Sequence, residues 1–274
     1  MTFTDRLRLA GARNDSLLCV GLDPEPARFP QPWRDDPRRI FDFCAAIVDA
    51  THDQVLAFKP QIAYFAAQRA EDQLERLIAH IRRVAPDVPV ILDAKRGDIG
   101  ATAQQYAREA FERYQADAVT LSPFMGFDSI EPYLAYPDKG AILLCRTSNP
   151  GGDDLQAQVL QSSGEPLYAH IARLAAGPWN RHGQLGLVVG ATYPAEIARV
   201  RALAPHVPLL IPGIGAQGGD AHATVQAGWR PDAPIIVSSS RAVLYAGADA
   251  AFATAARSAA EATRRLLNQA RQTP

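Results

Sequence analysis

The sequence predicts an α/β protein built as a (β/α)8 TIM barrel and capped by an N-terminal helix. Three observations point there. Short apolar runs recur along the chain and alternate with stretches of helical spacing. The runs are continuously apolar, as strands of a parallel sheet covered by helices must be. Several of them stop abruptly at an aspartate, a lysine or a glycine, which is how a barrel strand delivers functional groups to one mouth. No shift in composition marks a linker, so residues 1–274 are read as a single barrel domain.

The elements follow in order. Phe3 to Ala12 has helical spacing ahead of the first strand and supplies the cap. Leu17 to Asp23 is the first strand, stopped by Pro24. Asp35 to Thr51 is a helix with Pro37 in its first turn, where a missing N–H costs nothing. Val55 to Lys59 is the second strand, and a helix with Leu74, Leu77, Ile78 and Ile81 on one face follows. Val88 to Leu92 is the third, breaking into Asp93, Lys95 and Asp98. Helices over Ala101–Tyr114 and Ser129–Ala135 flank a strand at Ala118–Pro123. Ala141 to Cys145 opens into a long loop, Gly151 to Gly164. A helix at Pro166–Trp179, a strand at Leu185–Val189 and a helix at Pro194–Leu203 come next. Strands at Val207–Gly215 and Ile235–Val237 and a closing helix, Ala248–Asn268, complete the chain. Eight strands in about 250 residues fit the barrel. A doubly wound sheet is second choice, because no Gly-x-Gly-x-x-Gly follows the first strand.

Composition narrows the function. A formal net charge of −1 gives no reason to expect nucleic acid or an anionic membrane as partner. No apolar run approaches the ~18 residues of a membrane span, and the N-terminus lacks the apolar core of a signal peptide. Cys19, Cys44 and Cys145 lie far apart in apolar surroundings and read as free buried thiols of a reducing, cytoplasmic compartment. The histidines are scattered without ligand spacing, so no metal is expected. The chain holds 25 arginines and only three lysines, Lys59, Lys95 and Lys139. Lysine is a compact charge that can give up a proton, whereas arginine effectively never does. Lys59 and Lys95 end apolar runs; Lys139 follows Pro137 and Asp138 in a turn and reads as solvated.

In a barrel, Asp23, Lys59, Asp93, Lys95, Thr147, Gly213 and Arg241 share one pocket. Gly213-Ile-Gly215 and Ser239-Ser240-Arg241, with Gln217 nearby, suit a phosphate held after strands seven and eight. Opposite them, Lys59, Asp93, Lys95 and Asp98 form an alternating array of charge. An aspartate there repels a substrate carboxylate, and a lysine stabilises a nearby carbanion and protonates it. The competing reading is a structural ion-pair network that stiffens the barrel mouth.

The stretch Leu92-Asp-Ala-Lys-Arg-Gly-Asp-Ile-Gly-Ala-Thr102 resembles the Asp-x-Lys-x-x-Asp-Ile-x-x-Thr signature of the orotidine 5′-phosphate decarboxylases. Gly21-Leu-Asp-Pro24, Phe58-Lys-Pro-Gln61, Arg146-Thr-Ser-Asn-Pro-Gly151 and Pro212-Gly-Ile-Gly215 extend the resemblance from about Leu17 to Arg241. The Lys-Pro-Gln and Thr-Ser-Asn-Pro-Gly segments resemble the longer bacterial (type 2) branch. The resemblance implies decarboxylation of orotidine 5′-phosphate to uridine 5′-monophosphate, without metal or cofactor. It implies Lys95 as proton donor, Asp93 crowding the leaving carboxylate, and Lys59 completing the array and touching the ribose. Asp98, Ile99 and Thr102 would come from the second subunit of a homodimer with shared sites. Asp23 would hold a ribose hydroxyl, Thr147 or Ser148 would read the pyrimidine, and Gly215, Gln217 and Arg241 would hold the phosphate. The eighth strand departs from many relatives, ending Ser-Ser-Ser-Arg where they have a glycine before the arginine. Two alternatives remain: a metal-dependent sugar-phosphate decarboxylase or aldolase on a similar barrel, and a non-catalytic sensor of phosphorylated nucleotides. Lys59 speaks against the first, since it occupies the place of an acidic metal ligand.

Overall fold

The computed structural model describes residues 1–214 and 219–272, and at its centre is one sheet of eight parallel strands. In chain order these are β1 (Leu18–Leu22), β2 (Ala57–Pro60), β3 (Ile91–Arg96), β4 (Ala118–Leu121), β5 (Gly140–Arg146), β6 (Leu185–Val189), β7 (Leu209–Pro212) and β8 (Ile235–Ser239). Sequence neighbours pair from β3 through to β8, and β8 pairs with β1, which pairs with β2. Bridges from Phe58 to Val90 and from Gln61 to Asp93 join β2 to β3 and close the ring. The predicted barrel is the fold observed.

Side chains alternate across each strand, and this parity sorts the sequence into two layers. Leu18, Val20 and Leu22 of β1, Phe58 of β2, Leu92 of β3 and Val119 of β4 face outward into the layer shared with the helices. Cys19, Ala57, Ile91, Ala118, Ile142, Val188, Leu210 and Ile236, one from each strand, face the barrel axis. The same parity carries the inward row upward to Asp23, Lys59, Asp93 and Thr120.

The helices are α1 (Phe3–Arg13), α2 (Ile40–Thr51), α3 (Ile62–Ala66), α4 (Glu71–Val84), α5 (Gly100–Arg108), α6 (Glu131–Leu134), α7 (Leu167–Ala176), α8 (Pro194–Leu203), α9 (Ala221–Gly228), α10 (Arg241–Leu244) and α11 (Phe252–Gln272). Thr2 and Asp5 form a capping box that starts α1. Phe3, Leu7 and Ala10 of α1 then pack into the axial cluster and close the barrel floor, as the predicted cap should. With one end filled by side chains, only the opposite mouth is open to substrate.

Several details differ from the sequence reading. Pro37–Arg39 forms a 3-10 turn, with Asp36 accepting the Arg38 N–H, and the α-helix begins only at Ile40. The helix from Gly100 passes into a π-helical turn at Glu109–Arg113. The last helix begins at Phe252 because Asp249 accepts the Ala251 N–H and forms a turn first. Helices α3, α9 and α10 were not anticipated. The start of α9 was readable in outline, since Asp220 caps it by accepting the Ala223 N–H. Lys139 is not solvated: its ammonium is half-buried near Asp117 and Asp138, and burial lowers its pKa. The three cysteines are buried and free as expected, and burial pushes the Cys19 thiol up to about 12.

Candidate active site

The open mouth holds a cavity of about 730 Å³. Asp23, Lys59, Asp93, Lys95, Thr147, Ser148, Gly213 and Arg241 all line it, so the strand ends converge on one space. Each arrives from a different strand end or the loop that follows it, apart from Asp93 and Lys95, which share β3, and Thr147 and Ser148, which both follow β5. Gly215 and Gln217 lie outside the described residues. Asp98, Ile99 and Thr102 do not line this cavity. Ile99 is about half exposed, and the Asp98 carboxylate accepts the Ile99 N–H at 2.8 Å.

Asp93 is the hub of the cavity. Its Oδ2 accepts from Lys59 Nζ at 2.9 Å, and its Oδ1 accepts from Lys95 Nζ at 2.6 Å. Lys59 and Asp93 are buried, whereas the Lys95 side chain is nearly half exposed to the cavity. Burial by itself raises the Asp93 pKa, but the ammoniums of Lys59 and Lys95 overcome it and hold the carboxyl far below the usual range. Burial likewise works against the charge on Lys59, and the Asp93 and Asp23 carboxylates reverse that and push its pKa up. Lys59 and Asp93 are therefore held as a charged pair throughout the neutral range.

Sequence reasoning missed Thr120. Its hydroxyl donates to Asp93 Oδ1 at 2.8 Å and accepts the Ala94 and Lys95 N–H groups, each at 3.0 Å. It lies opposite a bulge, where Leu92 pairs with Val119 but Arg96 pairs with Leu121. Within that bulge Lys95 has φ +47°, a left-handed conformation that costs a non-glycine residue roughly 1–2 kcal/mol. Asp93 and Lys95 do meet on one side, as their spacing suggests, but through a bulged strand and not a regular one.

At the end of β1, next to β2 and Lys59, the Ser240 hydroxyl donates to Asp23 Oδ2 at 2.6 Å, and the Tyr245 hydroxyl donates to the Asp23 carbonyl at 3.0 Å. Asp23 Oδ1 stays buried without a partner among the described residues. Gly21 allows this close approach: a Cβ there would come within 2.8 Å of the Ser240 Cβ. Gln156, also absent from the sequence reading, lines the cavity and clasps Thr147. It accepts the Thr147 N–H at 2.8 Å and donates to the Thr147 hydroxyl at 2.9 Å. Arg146 secures this loop from behind. It is buried, ion-paired with Glu196 at 2.6 Å and Asp153 at 2.5 Å, and covers the Tyr193 ring.

The family model described as Orotidine 5′-phosphate decarboxylase / HUMPS family matches residues 16–256. The chain belongs to this family. An orotidine 5′-phosphate decarboxylase of Paracidovorax citrulli is 77% identical over 273 residues, covering 99% of this chain and 100% of that protein. One from Methylibium petroleiphilum is 75% identical over 278 residues, with the same coverage. A solved structure described as Leishmania donovani OMP decarboxylase is 39% identical, with a TM-score of 0.86 and full coverage of both chains.

The depressed Asp93 pKa has a consequence for stability. Its ionised form stabilises the fold fully above the ordinary aspartate value of about 3.9 and loses that contribution as pH falls through the lower folded value. Urea unfolding from pH 8 to pH 2 should show wild type losing ground to Asp93→Asn only below about pH 4. A relative loss already under way between about pH 6 and 5 contradicts an ionised hub.

Proposed function

We propose that this chain decarboxylates orotidine 5′-phosphate to uridine 5′-monophosphate, a step of pyrimidine nucleotide biosynthesis. The observation that carries the reading is Asp93 held between two ammoniums in a cavity that Arg241 also lines. The substrate bears a phosphate and a carboxylate at opposite ends, and the cavity has a cation suited to the first and a carboxylate set against the second.

In this proposal Arg241 binds the phosphate, the unpartnered Oδ1 of Asp23 accepts a ribose hydroxyl, and Thr147 or Ser148 reads the pyrimidine edge. Asp93 crowds the substrate carboxylate. The C6–carboxylate bond breaks, its electron pair stays on C6, and carbon dioxide leaves. The Lys95 ammonium stabilises that carbanion and donates its proton to C6, while Lys59 stays charged beside Asp93 and the ribose. A divalent cation at Asp93 would sit against two ammoniums within 3 Å, which disfavours the metal-dependent alternative. A sensor would gain little from a buried lysine–aspartate pair that is costly to desolvate.

The acting form in this proposal is a cytoplasmic homodimer. Within one chain the array has one carboxylate and two ammoniums, and Asp98 of a second copy would supply the other carboxylate. Ile99, with Phe124 and Met125, forms exposed apolar surface beside β3 and β4 that such a partner would cover. Among the described residues no helix is long and apolar enough to cross a membrane.

Loss of orotidine 5′-phosphate absorbance in the ultraviolet tests the activity. Lys95→Ala should lower turnover by at least ~10³-fold while retaining uridine 5′-monophosphate binding; turnover within tenfold of wild type would remove Lys95 from the mechanism. Shared sites predict that equal mixtures of inactive Lys95→Ala and Asp98→Ala, after subunit exchange, recover about a quarter of wild-type activity. No recovery despite verified exchange contradicts donation across the interface.

A further inference from the structure

We infer that Thr120 is a positioning residue for the proton transfer, fixing the Asp93 carboxylate and the Lys95 backbone to each other. The inference rests on the decarboxylase reading above and adds to it a residue that carries no charge. Thr120 is 1% exposed, and its strand parity turns it toward the barrel axis directly beside the hub. A hydroxyl has one proton and two lone pairs, and all three are committed. The proton goes to Asp93 Oδ1, and the lone pairs receive the consecutive N–H groups of Ala94 and Lys95. One oxygen atom thus ties the orientation of the carboxylate to the left-handed backbone from which the proton donor hangs.

The two lysines depend on this tie unequally. Lys59 rises from β2, in regular register with Gly21 of β1, and its side chain is buried, so its place does not pass through Thr120. Lys95 starts from a bulge in a left-handed conformation, and its side chain is about half exposed. Among the described residues, its ammonium is located by the direction of its backbone and the grip of Asp93 Oδ1. Thr120 holds both. Without the hydroxyl, two part-buried N–H groups lose their acceptor, Asp93 Oδ1 loses one of its two donors, and the bulge is free to relax. The ammonium then wanders relative to C6, while Asp23, Arg241 and the rest of the binding surface stay as they were. The effect belongs in kcat and not in KM.

The test compares Thr120→Val, which keeps the shape and removes the hydroxyl, with Thr120→Ser, which keeps the hydroxyl and removes a methyl. Thr120→Val should lower kcat for orotidine 5′-phosphate by about 10²-fold with KM within threefold of wild type. It should also slow exchange of the C6 hydrogen of uridine 5′-monophosphate in D2O, read by proton NMR, by a similar factor. Thr120→Ser should keep at least a third of wild-type kcat. If Thr120→Val does not fold, Thr120→Cys, whose thiol is only a weak donor, takes its place with the same expectation. Unchanged kcat, a loss confined to KM, or a Thr120→Ser variant as impaired as Thr120→Val each overturns the inference. The decarboxylase reading fails separately, by absence of turnover in the wild-type protein.

Discussion

The contact on which this structure turns is the carboxylate of Asp93 held between the ammoniums of Lys59 and Lys95 at 2.9 and 2.6 Å. Removing ions from water costs several kcal/mol each after relaxation, so such a set persists only where each charge offsets the burial of the next. The directions of the shifts show that it does: Asp93 is held deprotonated and Lys59 protonated, each against the pull of its own burial. A chain that otherwise uses arginine keeps two of its three lysines here. Compact ammoniums fit around one carboxylate and can part with a proton, which a guanidinium cannot do.

The barrel makes this contact possible by parity and by closing one end. Period-2 alternation brings Lys59, Asp93 and Thr120 to the axis from three neighbouring strands, while α1 fills the floor with Phe3 and Leu7. A bulge in β3 then directs Lys95 into the mouth from a left-handed backbone. The rest of the rim is built differently. There, Ser240 and Tyr245 hold Asp23 by hydroxyls, and Arg146 fastens the loop that carries Thr147 through two ion pairs and an aromatic face. The lysine–aspartate set stands on strands, and the groups around it are held by hydrogen-bonded loops.

Much of this was legible because charge at the end of an apolar run is a strong signal. Asp23, Lys59, Asp93 and Lys95 could be named from their positions alone, and the strand rhythm gave the barrel. Thr120 was not, since a hydroxyl inside the run Ala118-Val-Thr-Leu121 looks like an ordinary strand residue; the parity it shares with Ala118 was the available clue. Gln156 lies in a loop without periodicity, and its clasp on Thr147 exists only in three dimensions. Lys139 was misread because Pro137 and Asp138 mark a turn, whereas the side chain folds back toward Asp117 on another element. Local sequence shows where chains turn, not what a long side chain reaches.

The central claim is that the lysine–aspartate set faces the reacting carbon while Arg241 faces the phosphate. A crystal structure with uridine 5′-monophosphate bound tests it most directly. The account predicts C6 of the pyrimidine within about 3.5 Å of Lys95 Nζ and the phosphate on Arg241. A complex with the phosphate resting on Lys59 and Lys95, and the base toward Arg241, would contradict it.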